Sequence, residues 1–101
     1  MGDTVFASSA IINELKQLNR LFITACDQIS LLNQELRGVN ARYIRAQRDN
    51  KKSFLYSLRI RHASLDAIVT LFLEFAQRKA DAIHEIKEKL REENLILPSR
   101  N

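Results

Sequence analysis

Residues 11–46 read IINELKQLNRLFITACDQISLLNQELRGVNARYIRA, and within them apolar side chains recur by steps of four and three. Ile11, Leu15, Leu18, Phe22, Ala25, Ile29, Leu32, Leu36, Val39, Tyr43 and Ala46 all fall on this one line. Such steps gather side chains on a single stripe of an α-helix, whereas a strand would need alternation by two. The stretch therefore predicts a helix of about 45 residues, about 65 Å long at a rise of about 1.5 Å per residue. Gly38 lies inside the run, where glycine costs about 1 kcal/mol, small beside the burial expected on either side, so it is expected to be a weak point or slight kink. A competing reading takes glycine's preference for the position just past a helix end, stops the helix within Arg37-Gly38-Val39-Asn40 and yields three helices.

Moving outward toward the C-terminus, Arg48-Asp49-Asn50-Lys51-Lys52-Ser53 has no apolar residue. Asp49, Asn50 and Ser53 are each suited to cap a helix N-terminus, so the chain is expected to reverse here. A second seam follows through Leu55, Leu58, His62, Leu65, Val69, Phe72, Ala76, Lys79, Ile83, Ile86 and Leu90. Glu74 with Arg78 and Glu85 with Lys89 have the spacing of favourable ion pairs along a helix. Pro98 lies beyond an expected helix end near Asn94, and Leu95, Ile96 and Leu97 form a short apolar tail.

These readings give an all-α fold: a long antiparallel helical hairpin, coiled-coil-like, expected to assemble as a dimeric four-helix bundle. Residues 1–94 form one hairpin domain with helices over about 5–48 and 53–93, a turn at about 49–52, and a tail over 95–101. Two glycines and one proline in 101 residues agree with an absence of sheet.

A chain of this length buries only about two-thirds of the surface its unfolded form exposes, which leaves stability marginal without reinforcement. Cys26 is the only cysteine, so an intramolecular disulfide is impossible and oligomerisation remains. The seams are also wider than a two-stranded coil needs. Ile12, Leu21, Ile23, Cys26 and Leu31 lie off the line in the first helix, and Phe54, Ile68 and Phe75 add a row beside Leu71 and Leu73 in the second. From Leu65 to Ala76 the helix is apolar nearly all round, a surface that a solitary hairpin would leave wet. The residues expected at the interface between chains are Phe22, Ile29, Leu32, Leu65, Ile68, Val69, Leu71, Phe72, Phe75 and Ala76.

Charge is unevenly spread. Between Arg37 and His62 lie Arg37, Arg42, Arg45, Arg48, Lys51, Lys52, Arg59 and Arg61 against Asp49 alone, a local excess of +7; the remainder of the chain holds eight basic and eleven acidic residues, −3, which together restore the formal +4. An excess of this size exceeds what solubility needs and fits a polyanion, so Arg42, Arg45, Arg48, Lys51, Lys52, Arg59 and Arg61 are candidate contacts. The alternative is a solvated helix end with Tyr43 and Phe54 in the core and Tyr56 the one free aromatic among them.

Asn40, Arg48, Leu58, Leu65 and Phe72 stand at the spacing of a basic-leucine-zipper signature, and this segment of about 35 residues resembles that family. Tyr43, Ile44 and Gln47 replace the small residues of the pattern, and only Arg37 stands for its basic cluster. Bulky side chains there do not fit a helix pressed into a major groove, so the spacing is read as coincidence. In general plan alone, a basic helical dimer is similar to the small viral suppressors that lie along double-stranded RNA; no residue motif carries that likeness.

Catalytic signatures are missing from the sequence: His62 has Asp66 one turn on and His84 has Glu88, without a paired nucleophile, a phosphate loop or a metal-type cluster. His62 on the seam suggests loosening at acid pH, Cys26 a buried structural thiol, and Lys79 a seam lysine that snorkels or sets register. No enzyme activity, cofactor or small-molecule substrate is expected. The expected function is a helical oligomerisation and protein-interaction module, a homodimer or subunit of a coiled-coil assembly, whose partners are itself or other helical proteins. The alternative is an RNA- or duplex-backbone-binding dimer of the suppressor type. With one thiol, no leader and no membrane-length apolar run, an intracellular location is expected, cytoplasm and nucleus being equally open. A membrane partner is disfavoured, because the basic end has no apolar face to insert.

Overall fold

The protein, described by a computed structural model over residues 2–93 and with side chains over residues 9–93, consists of two long α-helices joined by a tight turn. Helix α1 spans Gly2–Arg48 and helix α2 spans Lys52–Glu92. This is an all-α helical hairpin, with no strand among the described residues. The expected C-terminal tail, Leu95 to Leu97 with Pro98, lies outside the described residues.

Helix α1 runs through Gly38 without a break, which removes the three-helix alternative. Gly38 has an ordinary negative φ, and its backbone carbonyl accepts a bond from Arg42 Nε one turn later (3.4 Å). The helical hydrogen bonds and the flanking burial of Leu36 and Val39 outweigh its missing side chain.

The reversal is built differently from the capping expected of Asp49, Asn50 and Ser53. Asn50 adopts a left-handed backbone (φ 57°). Its N–H donates to the Gln47 carbonyl (3.2 Å), while the Lys51 N–H reaches back to the Ala46 carbonyl (2.9 Å). These two bonds form a Schellman motif, which satisfies the last carbonyls of α1; asparagine serves because its side chain tolerates left-handed backbone better than other non-glycine residues. Helix α2 then starts on the Lys51 carbonyl, which accepts from the Leu55 N–H (3.1 Å). Asn50 thus ends one helix rather than opening the next, and Ser53 lies within α2.

The chain divides into two compact units. The unit Ala25–Glu74 holds the turn, and its core consists of Ala25, Val39 and Ala46 from α1 with Leu65 and Val69 from α2. Val39 is fully buried. Ile29, Leu32, Leu36, Tyr43, Leu55, Leu58 and Phe72 surround this core half-buried. The second unit joins Met1–Thr24 to Phe75–Asn101. Ala76 and Leu90 are buried there, with Ile11, Leu15, Leu18, Phe22, Phe75, Ile83 and Ile86 half-buried. In both units the buried residues sit on the seams read from the sequence, while many seam residues stay half-covered, as two helices alone can cover only a narrow stripe.

Candidate functional site

Within the turn-bearing unit, the basic residues of the last turns of α1 and the first turns of α2 fall into two groups. Arg61 forms an ion pair and hydrogen bond with Glu35 across the hairpin. Arg59 donates through Nη2 to the Tyr43 hydroxyl (3.2 Å), and this bond, with the charge interaction between the two groups, raises the guanidinium's pKa above its ordinary value. These two arginines tie α2 to α1. Arg42, Arg45, Arg48, Lys51 and Lys52 have no carboxylate partner among the described residues.

Three of them edge a groove of about 350 Å³ beside the turn. Arg42, Arg45 and Lys51 supply its cations, Asp49 its one carboxylate, and Ala46, Phe54 and Leu58 its apolar walls. Phe54, expected in the core on the solvated-end reading, is 56% exposed, and the Lys51 ammonium lies 5.8 Å from its ring centre. Its position beside the seam, rather than on it, leaves the ring outside the contact between the two helices. Tyr56 is also exposed, whereas Tyr43 is half-buried under its bond to Arg59. A second recess, of about 290 Å³, is lined by Asn40, Tyr43, Arg59, His62 and Ala63.

The residues expected at an interface separate by burial. Leu65, Val69 and Ala76 are buried inside their own units and are already covered by the chain itself. Phe22, Ile29, Leu32, Phe72 and Phe75 are half-buried. Ile68 and Leu71 are open to solvent at 41% and 64%, and so is Leu31 of α1 at 57%. Leu31 precedes Glu35 by one helical turn, and Ile68 follows Arg61 by two; since Glu35 and Arg61 meet, these two apolar side chains share one flank of the turn-bearing unit, and Leu71, three residues past Ile68, adjoins it. Leu73, Ile60, Ile44 and Tyr56 of that unit are exposed as well.

Several expectations are corrected. Cys26 is exposed rather than a buried thiol, because it lies one position off the seam, beside Ala25. His62 is exposed too, so the proposed acid loosening of a seam histidine loses its basis. Neither Glu74 with Arg78 nor Glu85 with Lys89 closes as an ion pair; in the second unit Glu88 instead pairs with Arg91, and His84 Nε2 lies 3.9 Å from the same carboxylate. Lys79 is half-buried with its ammonium 5.0 Å from the Phe75 ring centre, so its stem covers apolar surface while its charge stays near water. The zipper-like spacing is broken by the turn: Asn40 and Arg48 end one helix, while Leu58, Leu65 and Phe72 belong to the other.

Among the described residues no group of three or more His, Cys, Asp or Glu is placed to hold a metal ion, and no helix is long and apolar enough to cross a membrane. Sequence reasoning missed the contacts of Glu35 and Tyr43 with the basic end. Their signal was available in the seam itself, since Glu35 and Arg61 occupy positions flanking the two seams that meet in an antiparallel pair. No family model matches the chain, and no curated protein or solved structure matches it.

Proposed function

We propose that this chain is a non-enzymatic helical assembly module, a homodimer or a subunit of a coiled-coil assembly, that completes a four-helix bundle by burying the flank formed by Leu31 and Ile68 with the adjoining Leu71. The observation that carries the reading is the exposure of these three large side chains, while Val39, Leu65 and Val69 between the helices are buried. Exposed apolar side chains of this kind are what bundle packing removes from water, at about 25 cal/mol per Å² buried. A second copy presents the same side chains and so can pair isologously. The single thiol and the lack of a membrane-length apolar helix among the described residues support placing this assembly inside the cell.

Sedimentation equilibrium at micromolar concentration tests the reading. The expected mass is twice that of the chain or a higher multiple, and a monomer across that range would remove self-assembly and leave only partners of other sequence.

A second reading has its own observation: of the cations in the last turns of α1 and the first turns of α2, only Arg61 has a carboxylate partner among the described residues, which leaves Arg42, Arg45, Arg48, Lys51, Lys52 and Arg59 without one. They suit a nucleic-acid backbone, with Arg61 adding long-range charge. On this reading duplex RNA binds at low salt and is released steeply as salt rises.

A further inference from the structure

We propose that the groove beside the turn is a binding site for unpaired nucleotides of single-stranded nucleic acid, with Phe54 stacking on a base and Arg42, Arg45 and Lys51 holding the flanking phosphates. The proposal rests on the second of the two readings above and is independent of assembly.

The site joins two features that a backbone-binding surface does not need together. Its rim carries three cations against Asp49 alone, a net +2 that complements phosphate. Its wall carries an aromatic ring 56% open to water, at the end of the molecule richest in charge. A polyanion bound only through its phosphates would leave that ring without a ligand partner. An unpaired base offers it a π-face, and the attached phosphates meet the cations in the same short groove. Lys51 near the Phe54 ring helps fix the ring at the rim and places one positive charge next to a stacked base.

The cations of this groove are not held by the contacts across the hairpin. Arg59 and Arg61 are engaged with Tyr43 and Glu35, which leaves Arg42, Arg45 and Lys51 as the cations already gathered around an apolar floor. A duplex keeps its bases stacked inside and presents the groove only with backbone. An acidic peptide would match the charge, but its carboxylates offer the exposed ring no face to stack on.

The test uses the full chain and fluorescence anisotropy with a labelled oligouridine of about 12 nucleotides, within the ~4–16-nucleotide footprints of aromatic grooves. A duplex of equal length and polyglutamate of equal charge serve as competitors, at low and at physiological salt. The single strand is expected to bind more tightly than the duplex. Phe54→Leu is expected to weaken single-strand binding about tenfold, the order of one lost stacked base, and to leave duplex binding unchanged. Arg45→Gln is expected to reduce the salt slope by about one, with Arg37→Gln, outside the groove, as the comparison. Helicity by circular dichroism confirms that these surface variants fold.

Equal binding of both nucleic acids, indifferent to Phe54→Leu, overturns the nucleotide site and leaves the backbone reading standing. Failure of both to bind at low salt overturns the two together. Displacement of the oligouridine by polyglutamate at equal charge overturns the site in favour of an acidic protein partner.

Discussion

Among the described residues, Val39 is the largest side chain buried completely, and it follows Gly38 directly in the sequence. The two neighbours predict opposite effects. Val39→Ala removes two methyl groups from the best-packed point of the turn-bearing unit and should lower stability by about 2 kcal/mol in urea unfolding at fixed protein concentration. Gly38→Ala should raise it by about 1 kcal/mol, because a methyl group there meets nothing nearer than the flexible Arg42 guanidinium at 4.0 Å and suits helical backbone better. At the turn, Asn50 holds a left-handed φ that a β-branched residue strongly resists. Asn50→Val should destabilise by about 1–2 kcal/mol, whereas Asn50→Gly should be neutral or mildly stabilising; thermal unfolding distinguishes the two. Cys26, exposed on α1, should react with a thiol reagent in the folded protein, and protection until unfolding would show that a partner covers that side.

At the scale of the elements, α1 and α2 are joined by their seam and by two polar cross-links, and the seam carries the larger share. Arg61 and Glu35 are both about half exposed, so their ion pair is screened by water. A double-mutant cycle on Arg61→Ala and Glu35→Ala should return a coupling of about 0.5 kcal/mol, reduced further at high salt. The Arg59–Tyr43 bond raises the guanidinium's pKa in the folded chain. A raised pKa on a basic group favours folding fully below that group's ordinary titration range and ceases to do so only as pH climbs through the elevated value. For an arginine that window lies far into alkali, so Tyr43→Phe should shift the urea midpoint equally at about pH 5 and about pH 9.

For the whole molecule, the governing fact is that two helices cannot cover all the apolar rows they carry. The turn-bearing unit leaves Leu31 and Ile68 exposed on a single flank with Leu71 adjoining it, and the second unit leaves Ile12, Leu21 and Ile23 exposed. Leu31→Glu with Leu71→Glu should convert an assembled chain to monomer in sedimentation equilibrium while helicity is retained at high protein concentration, because neither position belongs to the core of its unit. The same change in the second unit, at Ile23, is the comparison that tells whether assembly uses the flank named here or a different face. The local +7 around the turn opposes packing two such ends together and favours bringing a polyanion to them.

The helical class, the two seams, the reversal between Arg48 and Ser53 and the basic end were legible in the sequence, because each is local or periodic. Helix geometry converts steps of three and four into a stripe without help from distant residues, and formal charge needs no structure to count. What covers a given side chain is a different kind of quantity. Cys26, His62 and Phe54 all lie on or beside a seam, and only the packing of one helix on the other decided that each is exposed. The distinction between arginines held by Glu35 and Tyr43 and cations gathered at a groove likewise came from residues 16 to 26 positions apart, brought together by the hairpin. The turn shows the same division at short range. Sequence alone determined that the chain must reverse around Asn50, because apolar periodicity stops there; the tertiary structure decided that Asn50 closes the first helix, since that role depends on the hydrogen bonds its backbone makes in the completed turn.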